Sequence, residues 1–323
     1  MTNKGVVSAV TIPPNKKLLG PLALGGTVFS PNQWSSEWAA NTLAVMESAL
    51  QRGLNHFDTA GGYGDGTSER LVGQFIARRR DEVFVASKAS VDEMSADVML
   101  EHVDQSLARL QTDVIDLFYI HWPRKGRDLR PLMEGLEKAR QQGKIVAIGV
   151  SNFNVEQMAQ VAQVGRIDAH QICYNLLWRF DEADVIPYCR ANHIAITTYS
   201  SIAQGILAGK FPRQPVFEPG DSRGRTVHFD TEVWPHVYEA VEQFKQVAVE
   251  ANRSLLHLAI RWVLHQPDIH TAVVSARNPE QLAQIAAALD GEIPDSVFAR
   301  LTEISDQVMQ HIPNTGNVYR YYP

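Results

Sequence analysis

Short runs of apolar, largely β-branched residues alternate along this chain with longer runs in which apolar positions recur every three or four residues. The short runs predict strands over residues 22–26, 54–58, 83–88, 115–121, 145–150, 170–174, 194–199 and 271–275. The longer runs predict helices over 36–52, 67–80, 95–110, 129–142, 155–164, 182–192, 236–265 with a break near Asn252, and 279–289. Helix-start chemistry supports several of them: Ser36 ahead of Glu37, Asn154 ahead of Glu156, and Ser254 where the seventh helical region reopens. Eight strands alternating with helices predict an α/β fold, a parallel sheet closed into a (β/α)8 TIM barrel. A doubly wound sheet is the competitor. Its glycine fingerprint would follow the first strand, whereas GGYGDG at 61–66 follows the second and fits G-x-G-x-x-G in no frame.

Two segments stand outside the alternation. Residues 210–234 are rich in Pro, Gly and charge and follow the seventh predicted strand, so they are expected to form a lid on the catalytic face. Residues 294–323 add a C-terminal extension, with one more helix and an aromatic end (Tyr319, Tyr321, Tyr322) that packs outside the barrel or folds over a rim.

Composition narrows the picture without redirecting it. With 45% hydrophobic and 20% charged residues, 323 residues suffice for one barrel domain spanning 1–323. A net charge of −6 argues against nucleic-acid and anionic-membrane partners but leaves room for a basic pocket. Cys173 and Cys189 have no metal-ligand spacing and read as small buried hydrophobes of a reducing compartment, so no metal is expected. The first residues lack the apolar core of a secretory signal and no apolar run reaches 18 residues, so the expectation is a soluble cytoplasmic protein.

The candidate chemistry lies at strand ends. Asp58 ends the second predicted strand with Tyr63 in the loop beyond it, Lys88 ends the third, and His121 ends the fourth. In a barrel these side chains converge on one face, and buried charges there need partners. Carbonyl reduction supplies a reason. Hydride delivered to a carbonyl carbon leaves an oxygen that must receive a proton. A phenol can give it if a lysine beside it stabilises the phenolate and an aspartate holds the lysine, while a histidine orients the carbonyl. A Schiff-base barrel using Lys88 is the alternative, disfavoured by Asp58 and Tyr63.

The segments NHFDTAGGYGDGTSERLVG, VFVASK and IDLFYIHWP resemble the three catalytic segments of the aldo-keto reductase superfamily. The likeness continues through GVSNF, QICYN, YSSIAQGILAGKF and VVSARNPEQL. It implies a reductase of aldehydes or ketones, or the reverse oxidation of sugars or alcohols. Tyr63 would be its general acid, Asp58 and Lys88 the partners of that acid, and His121 the orienting group. By the same resemblance Ser151, Asn152 and Gln171 would hold the nicotinamide carboxamide and Tyr199 would stack on the ring. Ser200, Ile202, Gln204 and Gly205 would wrap the pyrophosphate, with Lys210 and Arg223 adding charge. Ser275, Arg277, Gln281 and Gln284 would meet the adenosine end, Arg277 favouring NADPH with NADH still possible. The chain departs from the commoner family pattern at Ser201-Ile202, Ser275 and Ile285. Trp34, Trp122 and Trp178 are candidates for a pocket taking a small carbonyl substrate. A redox-responsive regulatory subunit of the same fold is the second reading that the resemblance allows.

Overall fold

The computed structural model describes residues 11–17, 19–29, 35–218 and 221–321. Eight parallel strands pair in sequence order and β8 returns to β1, closing the barrel. They are β1 (Leu22–Gly25), β2 (His56–Asp58), β3 (Phe84–Ala89), β4 (Ile115–Ile120), β5 (Ile145–Ser151), β6 (Ala169–Cys173), β7 (Ala195–Tyr199) and β8 (Ile269–Val274). The outer layer comprises α1 (Ser36–Gln51), α2 (Thr67–Ile76), α3 (Ala96–Leu110), α4 (Arg130–Gln141), α5 (Val155–Val161), α6 (Val185–Ala191), α7 (Trp234–Glu250), α8 (Leu255–His265), α9 (Pro279–Ala286) and α10 (Asp295–Met309).

Every predicted strand is present. The helices differ at their ends, for local reasons. The first is capped by Ser35, not Ser36: the Ser35 hydroxyl accepts from the Trp38 N–H. The predicted helix 67–80 stops at Ile76, before a 3-10 turn at Arg80–Glu82. The segment 236–265 is two helices. Asn252 adopts φ 50°, which ends α7, and Ser254 then caps α8 by accepting from His257. Asn154 builds a full capping box with Gln157 at the start of α5.

Period-two alternation decides what enters the barrel. Phe84 and Ala86 of β3, Leu117 and Tyr119 of β4, Ala147 of β5, Ala169 of β6 and Ala195 of β7 form the interior cluster. Ile12 and Leu19, ahead of β1, join it and so plug the N-terminal end. Alanines on β5, β6 and β7 opposite the rings of Phe84 and Tyr119 keep this interior filled. A Cβ on Gly149 would lie 2.3 Å from the Tyr119 ring, so only glycine leaves Tyr119 its place. Two residues further along, the alternation delivers Lys88, His121 and Gln171 to the C-terminal mouth, and four residues further along β5 and β7 it delivers Ser151 and Tyr199.

The C-terminal extension runs as α10 against α7 and α8 outside the barrel, then crosses the mouth. Tyr321 meets Trp122 edge-on at 5.1 Å. The loop after β7 is tied to it, the Val227 N–H donating to the Val318 carbonyl at 3.1 Å and Arg320 pairing with Asp230.

Candidate active site

Asp58, Lys88, Tyr63 and His121 come together at the C-terminal mouth. Lys88 is fully buried, and its Nζ donates to Asp58 Oδ1 at 2.5 Å and to the Thr59 carbonyl at 2.9 Å. The ammonium lies 5.4 Å from the centre of the Tyr63 ring, and that ring packs edge-on against His121 at 5.8 Å. Burial alone would pull the lysine down, but the charges of Asp58 and Tyr63 and the hydrogen bond to Asp58 outweigh it, so Lys88 sits above its ordinary value and stays cationic. His121 goes the other way. Burial first, then the charge of Lys88, lowers it to about 3, so the imidazole is neutral. A protonated, paired lysine is a poor Schiff-base nucleophile. Removing one partner of such a buried pair typically costs about 3–5 kcal/mol, because the other charge is left uncompensated.

A second set of residues seats the tyrosine loop, and sequence reasoning missed it. Glu69 on α2 is fully buried and accepts from Ser87 Oγ and Arg109 Nε, each at 2.5 Å. Arg109 fills the space beneath the loop: Cβ atoms on Gly61 and Gly66 would come within 2.9 and 2.3 Å of it. Thr59 Oγ1 donates to Ser68 Oγ at 2.8 Å, and Ser68 reaches the Gly26 carbonyl at 3.0 Å. The signal available in the sequence was a glutamate on the apolar side of an amphipathic helix.

Ser151, Asn152 and Gln171 also converge. The Ser151 hydroxyl donates to the Gln171 carbonyl at 3.0 Å, Asn152 Nδ2 donates to Ser151 Oγ and to the His121 carbonyl at 3.1 Å each, and Gln171 Nε2 donates to Asp58 Oδ2 at 2.9 Å. Gln171 thus links this amide set to the ion pair. The Tyr199 hydroxyl donates to Asn152 Oδ1 at 2.6 Å, which fixes its ring at the end of β7.

Beyond Tyr199 the backbone is strained in a way that suits an anion. Ser200, Ala203, Gln204 and Gly205 all have positive φ, three of them without the freedom of glycine. Such turns present successive N–H groups as an anion-binding concavity. Gly205 has open space where a Cβ would stand, and Gln204 Oε1 is buried without a hydrogen-bond partner among the described residues. Ile202 is partly buried and contributes backbone only. The Tyr319 hydroxyl from the tail meets Ser200 Oγ at 3.2 Å and Gln204 Nε2 at 2.9 Å. Amides, hydroxyls, a fixed aromatic ring and a strained N–H turn along one rim form a donor set that fits a nicotinamide dinucleotide.

The remaining candidates divide. Arg223 is gripped by Asp221 at 2.9 and 3.0 Å, and this pairing holds the Asp221 carboxyl down at about 2, so much of the arginine's charge is spent inside the loop. Lys210 is exposed. Ser275 Oγ donates to the Gly25 carbonyl at 3.0 Å, closing β8 onto β1. Gln281 Oε1 accepts from the Arg277 N–H at 2.7 Å, and the Gln284 carbonyl meets His257 Nε2 at 2.8 Å. Ile285 is buried, so that position offers no polar contact. The Arg277 side chain is exposed and has no ion pair among the described residues.

Beside the mouth, next to Trp122, lies a cavity of about 310 Å³ whose walls include Trp122, Trp178, Asn152, Tyr199, Lys125 and Tyr321 but none of Asp58, Tyr63, Lys88 and His121. Trp122 stands beside His121 at 6.2 Å between ring centres. Trp178 is 2% exposed and packs edge-on against Phe180, so it is mostly rim structure. Trp34 lies outside the described residues. Sequence reasoning missed Asp181 on the same wall. No group of three or more His, Cys, Asp or Glu among the described residues is arranged to hold a metal, and no described helix is long and apolar enough to cross a membrane.

A profile of the Aldo/keto reductase family matches residues 21–306. The aldo-keto reductase YhdN of Bacillus subtilis is 35% identical over 279 residues, 83% of each chain. The NADH-specific methylglyoxal reductase of Escherichia coli is 30% identical over 310 residues, 89% of this chain and 94% of its own. Among solved structures, a glycerol dehydrogenase from Gluconobacter oxydans superposes with TM-score 0.86 at 29% identity, covering 95% of this chain and 97% of its own. An aldo/keto reductase from Klebsiella pneumoniae in complex with NADP and acetate superposes with TM-score 0.74 at 25% identity, covering 98% and 99%. With its barrel, its buried lysine–aspartate pair beneath a tyrosine and a family match across residues 21–306, this chain belongs to the aldo/keto reductase family of oxidoreductases.

Proposed function

We propose that this protein reduces small aldehydes or ketones with NADPH as the favoured cofactor, NADH serving less well. The observation that carries the reading is the fully buried Lys88–Asp58 pair held against the Tyr63 ring, with a neutral His121 facing the same ring. When bound, the nicotinamide supplies hydride. Ser151, Asn152 and Gln171 hold its carboxamide, and Tyr199 supports one face of its ring. The turn of Ser200, Ile202, Gln204 and Gly205 receives the pyrophosphate, with Lys210 adding charge and Arg223, gripped by Asp221, adding little. Ser275, Arg277, Gln281 and Gln284 bound the adenosine end, Arg277 reading the 2′-phosphate.

The Tyr63 hydroxyl gives its proton to the substrate oxygen as negative charge develops there. Lys88 stabilises the phenolate left behind, and Asp58 keeps the ammonium in place. His121, being neutral, can donate one N–H to the carbonyl oxygen and so orient it without competing as an acid. Trp122 and the tail with Tyr321 keep water from the mouth. Small carbonyl compounds suit a cavity of about 310 Å³, and methylglyoxal, in the name of one relative, is such a compound.

Mixing the protein with excess NADPH and a panel of aldehydes, ketones and sugars tests the reading. The expected result is loss of many equivalents of NADPH per protein with at least one carbonyl. Oxidation that stops after about one equivalent across the panel would replace the enzyme with a cofactor-bearing redox sensor.

A further inference from the structure

Asp181 lies in the 3-10 turn Phe180–Glu182 between β6 and α6, on the wall of the cavity that Trp122, Asn152 and Tyr199 also line. Its neighbours are committed. Glu182 accepts from the Tyr174 hydroxyl at 2.5 Å and from Arg179 at 2.8 Å, and Asp184 accepts from the Val185 N–H at the start of α6 at 2.6 Å. Asp181 itself has no hydrogen-bond or ion-pair partner among the described residues, and Lys125, also on the cavity wall, has interactions of its own.

Two effects follow from that position. Burial, then the charge of Asp184, pushes the Asp181 carboxyl up to about 7, the behaviour of a carboxyl with no compensating cation. Its field also reaches the inner end of the cavity: after burial, Asp181 is among the groups that hold Cys173 and Tyr199 protonated. A half-buried carboxyl facing a cavity pays for its desolvation unless a ligand supplies a donor. The rings of Trp122 and Trp178 cover the carbon skeleton of such a ligand but offer it no acceptor of comparable strength.

The geometry points to Asp181 as a specificity-determining residue that selects neutral, hydroxyl-bearing carbonyl substrates, such as hydroxyaldehydes and hydroxyketones, and turns away those carrying phosphate or carboxylate. A substrate hydroxyl satisfies the open acceptor. Above about pH 8, where a carboxyl raised to about 7 is ionised, an anion meets Asp181 and Asp184 together, a repulsion strengthened where water is excluded. This inference rests on the reductase reading above and names the substrate class for the same site.

The test compares kcat and KM with NADPH at about pH 8.5, where Asp181 is ionised, for wild type, Asp181→Asn and Asp181→Leu on three probes: glyceraldehyde, propanal, which has the same carbon count and no hydroxyls, and glyceraldehyde 3-phosphate. A charge-assisted hydrogen bond predicts that Asp181→Leu lowers the glyceraldehyde-to-propanal ratio of kcat/KM by about tenfold or more, mainly through KM. Asp181→Asn keeps an acceptor but loses the charge, so it retains most of that ratio while kcat/KM for glyceraldehyde 3-phosphate rises. An unchanged ratio in Asp181→Leu, or a wild type that prefers the phosphate ester, overturns the assignment. Should Asp181→Leu fail to fold, seen as lost NADPH binding, the phosphate-ester arm of Asp181→Asn still decides: no gain there overturns it. A wild type that reduces no carbonyl while binding NADPH overturns the reductase reading instead.

Discussion

At the scale of single residues, charge and its compensation separate the groups that act from those that only hold. The sequence offered Arg223 for the pyrophosphate and Arg277 for the 2′-phosphate; Asp221 grips Arg223, whereas the Arg277 side chain is exposed without an ion pair among the described residues. A guanidinium suits the 2′-phosphate that distinguishes NADPH, and one charge-assisted contact is worth about 1.5–3 kcal/mol. Arg277→Ala is therefore expected to weaken NADPH binding about ten- to a hundredfold while sparing NADH, measured by titrating both cofactors. Equal losses for the two would remove Arg277 from phosphate recognition. Asp181 and Glu69 mark what single-residue reading cannot reach. Asp181 looks like an ordinary surface charge, and Glu69 is only a carboxylate on the apolar side of a helix, until the fold shows the first bare in a cavity and the second paired beneath a loop.

At the scale of elements, the strands were legible because a closed parallel barrel buries both faces of each strand, which writes a continuous apolar run. Helix ends were less legible. Ser35 and Ser36 are equally good caps on paper, and the choice falls to the one whose hydroxyl meets the Trp38 N–H. The convergence of Asp58, Lys88 and His121 was legible because period-two alternation carries strand-end residues inward, and Tyr63 follows from the loop that β2 feeds. The strained turn after β7 was singled out only through family likeness, since nothing local announces positive φ at Ser200, Ala203 and Gln204. The loop after β7 and the tail were read as separate, yet the Val227–Val318 bond and the Arg320–Asp230 pair make them one assembly across the mouth. Contacts between segments so far apart in sequence leave no periodic trace.

At the scale of the whole molecule, the barrel places several ionisable groups where water cannot reach them, and this sets its response to acid. His56, His170 and His228 are fully buried, and burial lowers them to about 4, 3 and 4, from an ordinary value near 6.5. A histidine kept neutral in the folded state favours folding above its ordinary value, and that advantage is lost as pH falls from 6.5 toward the folded value, because the unfolded chain takes up the proton first. Each such group contributes a slope of up to about 1.4 kcal/mol per pH unit. Asp181, raised to about 7, opposes one of the three, gaining stability as pH falls from 7 toward 4. The net expectation is a lower Tm at pH 5 than at pH 7.5, with the difference reduced in His170→Gln. A Tm that is flat or rising over that interval would contradict it.

The central claim, that Tyr63 is the proton donor of a carbonyl reductase, is tested most directly by kcat of Tyr63→Phe on an aldehyde that the wild type reduces, with NADPH affinity measured beside it. The phenylalanine keeps the ring that packs against His121 and loses only the hydroxyl. The account predicts a fall in kcat of about a hundredfold or more, as general-acid contributions run, with NADPH binding nearly unchanged. A variant that keeps near wild-type kcat would contradict it.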